Sequence, residues 1–300
     1  MELKSFDSPE QAVTGCFGED VKISGRSFVG GGDINDAFCL SLSNGRQVFV
    51  KSNSVNNKSF FEAESAGLGA IASTGAIKTP KLLCMGCDRK AGISFLMMEM
   101  IESARPAKDC WEVFGHKLAA MHKADTSSFV NGGRFGFVSD NFIGASKQIN
   151  TCRDTWIDFF RQCRLEVQFK MAERYFDRDL SAAINRFLDH LDDILIEPEN
   201  PSLLHGDLWS GNMITDQEGS VMLIDPAVYV GHAEADIAMT ELFGRRPEGF
   251  YRAYRESGLL QPGYERRRDI YNLYHLLNHL NLFGRSYLGS VVDIIKDPLL

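Results

Sequence analysis

The strongest constraint on the fold is a change of hydrophobic periodicity near residue 103 of this 300-residue chain. Before that point, short runs typical of β-strands predominate, and one helix interrupts them. After it, the pattern changes to the period of helices, with two short strands. The sequence therefore predicts an α+β protein of two lobes. A small β-rich lobe should span residues 1–102, and a larger, mostly helical lobe should span residues 103–300.

The same patterns predict the individual elements. The first lobe should contain one helix near 58–73 and strands near 27–29, 37–42, 47–51 and 93–98. Asn44-Gly45 is a dipeptide that tight hairpin turns favour, so the second and third of these strands should be neighbours. The second lobe should contain strands near 202–204 and 221–224 and helices near 107–124, 152–176, 179–196, 247–257 and 266–288.

Composition narrows the possible partners and the compartment. The net charge of −8 gives no positive field for a phosphate backbone, so nucleic acid is not an expected partner. The chain begins without the basic-then-apolar order of a signal peptide, and no apolar run approaches the roughly 20 residues that span a bilayer. Seven scattered cysteines suit a reducing compartment. We expect a cytoplasmic protein without a membrane partner, a monomer or a weak dimer.

One segment combines an acid, an amide and flexible glycines directly after an apolar strand: His205-Gly206-Asp207-Leu208-Trp209-Ser210-Gly211-Asn212. On a kinase scaffold, an aspartate accepts the proton of the attacking hydroxyl, and an asparagine five residues later reaches Mg²⁺. Asp207 and Asn212 have that spacing. Asp225 follows thirteen residues after Asn212, at the end of a short apolar strand, and is a second candidate ligand because Mg²⁺ prefers oxygen.

The first lobe offers candidates for the parts that hold ATP. Gly30-Gly31-Gly32 lies between two β-like segments, where glycines allow backbone N–H groups to approach phosphates. Lys51 ends an apolar strand, as does the lysine that binds the α- and β-phosphates in kinases. Met98, Glu99, Met100 and Ile101 should form the hinge whose backbone binds adenine. Either Glu62 or Glu64, on the following helix, could pair with Lys51.

Two segments resemble the fructosamine kinase (ketosamine-3-kinase) family, and the resemblance extends from about residue 10 to residue 290. They are the loop from Leu204 to Asn212 and the stretch from Ile224-Asp225-Pro226 to Gly244. The resemblance implies a protein-kinase-like fold, with ATP and Mg²⁺ as cofactors. It also implies phosphate transfer to the 3-hydroxyl of a ketosamine, either a free sugar-amine or a glycated lysine of a protein, and hence deglycation.

The resemblance favours Glu64 over Glu62 as the partner of Lys51. The remaining site predictions concern the acceptor. Trp209 could form an apolar wall against a sugar ring or pack in the core. His232 and Glu234 could line the acceptor side or cap the following helix, whereas Asp236 is expected to hold the catalytic loop.

Two further predictions concern a pair of polar helix residues and the residue after the glycine triplet. Arg164 and Gln168 lie four residues apart, on one face of a predicted helix, and are more consistent with a solvated or salt-bridged surface than with the acceptor side. Some family members carry a cysteine after the glycine triplet that permits redox-linked dimerisation. Asp33 stands there in this chain, so that regulation is not expected.

Three alternative functions remain at this stage. The phosphate machinery does not define the acceptor, so a kinase for an aminoglycoside or a choline-like alcohol is possible. A nucleotide-binding pseudokinase is disfavoured because Lys51, Asp207, Asn212 and Asp225 are all present. A Ser/Thr protein kinase is disfavoured because the chain lacks an Ala-Pro-Glu segment and has only about ten residues between Asp225 and the next helix, which is too short for an activation loop.

Overall fold

The first lobe is built on a six-stranded sheet. A computed structural model describes residues 3–30 and 34–297, and the sheet has the strand order β1-β5-β6-β4-β3-β2. Only the short β1 pairs in parallel, with β5. The strands are β1 (Ser5–Phe6), β2 (Ile23–Phe28), β3 (Asp36–Leu42), β4 (Gln47–Ser54), β5 (Leu82–Asp88) and β6 (Ile93–Glu99).

Two helices cover the sheet of the first lobe. They are α1 (Pro9–Phe17), whose N-cap Ser8 accepts a hydrogen bond from the backbone of Gln11, and α2 (Lys58–Ser73). Helix α2 has the predicted bounds, and Gly45 adopts a φ of 81° in the predicted β3–β4 turn. The sequence patterns missed β1, α1 and β5, although Ser8-Pro9 is a recognisable helix start.

The second lobe is mostly helical. Its helices are α3 (Cys110–His122), α4 (Trp156–Phe160), α5 (Glu166–Met171), α6 (Arg178–Asp189), α7 (Glu234–Leu242), α8 (Glu248–Arg255), α9 (Tyr264–Phe283) and α10 (Leu288–Ile295). Three small two-stranded sheets complete it: β7 (Asn141–Ile143) with β8 (Ser146–Gln148), β9 (Ser202–Leu204) with β12 (Tyr229–Gly231), and β10 (Met213–Thr215) with β11 (Val221–Leu223).

The predicted helix at 152–176 is interrupted. A π turn over Arg161–Leu165 separates α4 from α5. Arg164 lies in this turn and is fully buried, with its guanidinium 4.0 Å from the ring centre of Tyr229 and hydrogen-bonded to the carbonyl of Ile149. The expectation of a solvated or salt-bridged face for Arg164 and Gln168 was therefore wrong, since both side chains belong to the interior of the lobe.

The described residues form three apolar clusters. One lies between the sheet of the first lobe and α1, and a smaller one lies against α2. The largest fills the second lobe and extends to Ala70 and Ile71 of α2 and to Ile77. Across residues 3–30 and 34–297, no helix is long and apolar enough to cross a bilayer. The C-terminal half of α2 thus packs on the second lobe, and the active-site candidates can come from both lobes where these meet at a cleft.

Candidate active site

A cavity of about 660 Å³ lies between the two lobes. Its walls carry residues of both lobes, including most of the side chains that the sequence singled out. The predicted residues that line it are Gly30, Lys51, Glu64, Met98, Glu99, Met100, Ile101, Asp207, Trp209, Asn212 and Asp225. The chemistry predicted separately for each lobe is thus concentrated in one cleft.

The loop after β9 presents Asp207 to this cleft. Gly206 precedes it with a φ of 81°, and a Cβ at that position would lie 2.1 Å from the carbonyl oxygen of Ala227. Nδ1 of His205 accepts from the amide of Asp207, while Nε2 donates to the carbonyl of Ile224. Burial lowers the pKa of His205 below its usual value, which keeps the ring neutral in this arrangement.

Asp236, on α7, holds the backbone of the loop that carries Asp207. Its carboxylate accepts hydrogen bonds from the amides of His205 at 2.7 Å and Gly206 at 2.9 Å. Burial acts to raise the pKa of Asp236, but its hydrogen bond with His122 and other contacts outweigh that effect and hold the pKa below its usual range. Asp236 therefore remains a carboxylate that accepts backbone N–H groups, as expected from the sequence.

Asn212 holds the orientation of Asp207. Its Nδ2 donates to Oδ2 of Asp207 at 3.0 Å, to the carbonyl of Asp207 at 2.9 Å and to the carbonyl of Asp225 at 3.4 Å. All these bonds use the nitrogen, so Oδ1 is the atom of Asn212 able to bind a cation. Desolvation in the cleft raises the pKa of Asp207 to about 7, with smaller contributions from the charges of Asp225 and Asp236.

Asp225 lies in the cleft, two residues after the end of β11. It has a φ of 53°, and no other non-glycine residue in the described part of the chain has a positive φ. Asp and Asn tolerate this left-handed conformation better than most residues do. The strained turn aims a carboxylate that is 45% exposed into the cleft, where it contacts the Lys51 amine.

Lys51 lies on β4 between two carboxylates. Its Nζ is 2.6 Å from Oε1 of Glu64 on α2 and also contacts Asp225 across the lobes. Glu62 instead pairs with Lys58 on the surface of α2, so Glu64 is the partner of Lys51. Burial alone would lower the pKa of Lys51, but the two carboxylates raise it above its usual value, and burial raises the pKa of Glu64 to about 7.

One side of the cavity is formed by β6 and the chain that follows it. Met98 to Ile101 line the cavity where the first lobe passes into the second. Gly30 lines the cavity after β2. Gly31 and Gly32, which the sequence also assigned to the phosphate-covering turn, lie outside the described residues.

The structure supports only part of the predicted acceptor wall. Trp209 lines the cavity with 39% of its surface exposed, so it is not a core tryptophan. His232 and Glu234 do not line it. Glu234 is fully buried and forms two 2.7 Å hydrogen bonds with Arg267, whereas His232 accepts from the amide of Glu234 and packs near Trp156. Their assignment to the acceptor side was therefore wrong, because Glu234 pairs with Arg267 in the interior and His232 accepts from the first amide of α7.

Among the cavity residues that the sequence did not predict are two aromatic side chains and an asparagine. Phe60 comes from α2, and Asn141 and Phe142 come from β7. Phe60 could have been found as an aromatic residue one turn before Glu64 on the same helix face. Neither β7 residue had a detectable signal, since a three-residue strand is too short for a periodic pattern.

Two of the cleft residues fit a magnesium ion. Asp225 offers a partly exposed carboxylate, and Asn212 offers its amide oxygen from the neighbouring loop. Mg²⁺ is usually held by one or two protein side chains of this kind, with substrate phosphates and water completing its shell. The donor set therefore suits a metal that arrives with a nucleotide.

The fold and the cleft define a phosphotransferase of the protein-kinase-like fold. A β-rich lobe is joined to a helical lobe, and Asp207 and Asp225 face the Lys51–Glu64 pair between them. The chain belongs to the fructosamine kinase family, whose model matches residues 5–300. It is 41% identical to the chloroplastic protein-ribulosamine 3-kinase of Oryza sativa subsp. indica, over 94% of this chain and 81% of that protein. It is 39% identical to a probable ketoamine kinase of Synechocystis, over 96% of this chain and 95% of that protein.

Solved structures show the same relationship. A protein from Haemophilus somnus, assigned as a fructosamine-3-kinase, has a TM-score of 0.84 at 28% identity and covers 97% of this chain and 96% of its own. The aminoglycoside phosphotransferase APH(4)-Ia, solved with AMP-PNP and hygromycin B, has a TM-score of 0.62 at 18% identity, with coverages of 96% and 98%. At that identity, the second comparison supports the shared two-lobed fold alone.

Proposed function

We propose that this protein transfers the γ-phosphate of ATP to the 3-hydroxyl of a ketosamine, which makes it a deglycating kinase. The observation that carries the proposal is the cleft in which Asp207, Asn212 and Asp225 face the Lys51–Glu64 pair. The ketosamine acceptor rests on family membership and on relatives named as ketoamine and ribulosamine kinases. We further propose that the nucleotide-binding lobe spans residues 1–102 and the acceptor-binding lobe residues 103–300, and that the protein acts in the cytoplasm.

The reaction is an in-line displacement. The acceptor oxygen forms a bond to the γ-phosphorus, the bond to the bridging oxygen of ADP breaks, and Asp207 takes the hydroxyl proton or orients it. Lys51 binds the α- and β-phosphates, while Gly30 and the glycines after it cover them. Glu64 keeps the Lys51 amine in place, so the charge that meets the phosphates is fixed before ATP arrives.

Asn212 and Asp225 would hold Mg²⁺. When bound there, the ion would neutralise charge on the phosphates of ATP. Asp225 thus has two roles in the proposal, because the same carboxylate touches Lys51 from across the cleft. The backbone of Met98 to Ile101 would receive the adenine.

The first test is Mg²⁺-dependent ADP formation across a panel of acceptors: fructoselysine, ribuloselysine, a glycated protein, an aminoglycoside and choline. Turnover confined to the ketosamines is the expected result, and comparison of the free and protein-bound forms ranks the substrates. Turnover only with the aminoglycoside or choline would retain the phosphotransferase and overturn deglycation. No turnover with any acceptor would favour a nucleotide-binding pseudokinase.

Acidification should lower kcat/KM. Asp207 and Glu64 have pKa values raised to about 7, and the proposed mechanism uses both as carboxylates. Activity should therefore be full above about pH 8 and fall as the pH drops through 7, with a slope between one and two protons. Initial rates at low acceptor concentration measure this profile. A flat profile between about pH 6 and 8 would contradict the required ionised form of Asp207.

Removal of the Trp209 ring should weaken acceptor binding. The indole lies two residues after Asp207 at the cleft surface, and the loss of an aromatic face should raise the acceptor KM about two- to tenfold for Trp209→Ala. The KM for ATP should stay nearly the same, since the proposed nucleotide contacts come from Lys51, the hinge and the metal ligands and not from the indole. Trp209→Phe, which keeps an aromatic face, is the matched control. An unchanged acceptor KM in Trp209→Ala would show that the indole does not contact the acceptor.

A further inference from the structure

The β7–β8 hairpin joins the second lobe to the helix that carries Glu64. The ring of Phe142, on β7, stacks on the ring of Phe60, on α2, with centroids 4.0 Å apart and planes at 19°. Phe60 lies four residues before Glu64, so the two side chains project from the same face of α2. A contact made at Phe60 therefore acts on the turn of helix that presents Glu64 to Lys51.

The other anchor of the hairpin is the segment that follows Asp225. Nδ2 of Asn141 donates to the carbonyl of Val228 at 2.7 Å, and Nε2 of Gln148 donates to the carbonyl of Ala227 at 2.9 Å. Gln148 also donates to Oδ1 of Asn141 and accepts from the hydroxyl of Tyr274, both at 2.7 Å. Asn141 and Gln148 are almost fully buried, so these bonds tie the hairpin rigidly to the chain beyond Asp225.

Together, the two anchors form a bridge across the cleft. One end is the aromatic stack on α2, and the other is the backbone just beyond Asp225. The bridge therefore connects the two elements whose carboxylates, Glu64 and Asp225, flank Lys51. In protein kinases, the position of the equivalent helix is controlled by an activation loop. Here, residues 226–233 alone separate Asp225 from α7, which is too short a segment for such a loop.

We propose that Phe60 and Phe142 are positioning residues that hold α2 in the active arrangement without an activation loop. Their stack keeps Glu64 against Lys51, and the Asn141 and Gln148 hydrogen bonds fix the stack to the metal-binding side of the cleft. The pair acts through Glu64 and not on the acceptor. The inference requires the phosphotransferase activity but not a ketosamine substrate.

The test is a double-mutant cycle read as kcat for ADP formation from Mg²⁺-ATP, with water as acceptor and with the best acceptor of the panel. Phe142→Ala should lower kcat about two- to tenfold, the range of an aromatic pair, and Phe60→Ala should do the same from the other side of the stack. In a Glu64→Gln background, Phe142→Ala should cause almost no further loss, because the pair that the stack supports is already gone.

Two controls separate positioning from a general loss of stability. Phe176 is a half-buried aromatic that contacts Phe169 in the second lobe, away from the cavity, so Phe176→Ala should keep kcat. Phe142→Tyr retains the stacked ring and should restore kcat to within about twofold. Multiplicative losses in the Glu64→Gln background, or unchanged kcat in both alanine variants of the stack, would overturn the proposal. Because the water reaction needs no acceptor, these outcomes stay distinct from failure of the ketosamine assignment.

Discussion

Replacement of Asp207 by alanine should lower kcat by about 10²- to 10⁴-fold, the usual contribution of a positioned general base. The structure explains why this carboxylate is suited to the role. Its pKa is raised to about 7 by desolvation, so it can accept a proton near neutral pH, and Nδ2 of Asn212 and Nδ1 of His205 fix its side chain and its backbone. ADP formation at saturating acceptor and Mg²⁺-ATP measures the loss.

The affinity for Mg²⁺-AMP-PNP should remain nearly unchanged in Asp207→Ala, because the proposed nucleotide contacts come from Lys51, the hinge and the metal ligands. Isothermal titration of both proteins measures it. Asp189, an exposed carboxylate on α6, offers a control variant, Asp189→Ala, with kcat expected at the level of the parent protein. An equally large loss of nucleotide affinity in Asp207→Ala would show that this residue organises the ATP site instead of acting on the acceptor.

Asp225→Asn should lower kcat/KM for Mg²⁺-ATP by at least about 10²-fold, which is typical for the loss of one preorganised charge contact to a transferring phosphoryl group. Asparagine suits this position because it tolerates the φ of 53° that the backbone adopts there, so the change removes a charge without forcing the turn to rearrange. The Mg²⁺ concentration needed for half-maximal rate should rise, since one anionic ligand becomes neutral.

A titration of the rate against Mg²⁺ at fixed ATP tests this second effect separately. Lys51 keeps Glu64 as a partner in the variant, so the Lys51 amine should stay in place while the metal site weakens. Asp225→Ala should be worse than Asp225→Asn, because alanine adds the cost of a left-handed conformation to the lost charge. An unchanged Mg²⁺ requirement in both variants would show that Asp225 is not a metal ligand.

The sequence predicted the parts of the fold that depend on local patterns. Helix α2 has the expected bounds because its apolar residues recur at the spacing of a helix. Strand β9, although only three residues long, was recognised because Leu203-Leu204 directly precedes the loop that carries Asp207. Strands β7 and β8 are three residues each and owe their existence to hydrogen bonds with residues 227 and 228, far along the chain. Such elements are defined by tertiary contacts, which a local pattern does not contain.

The same division applies to the site. Asp207, Asn212 and Asp225 could be proposed because their relative spacing is fixed by short loops and by one strand. His232 and Glu234 lie in the same stretch but face away from the cleft, because Arg267 on α9 pairs with Glu234 in the interior. The ion-pair partner of Glu234 lies thirty-three residues away, and the sequence near Glu234 contains no pattern that indicates it. The orientation of that helix face could therefore not be predicted from the sequence.

The charge state of Lys51 has a consequence for its reactivity towards reducing sugars. An amine attacks a sugar carbonyl only as the neutral base, and the two carboxylates beside Lys51 keep its pKa above that of an ordinary lysine. The contacts that present this cation to ATP thus also suppress its nucleophilicity. Lys51 should therefore resist glycation better than the exposed lysines of the same chain.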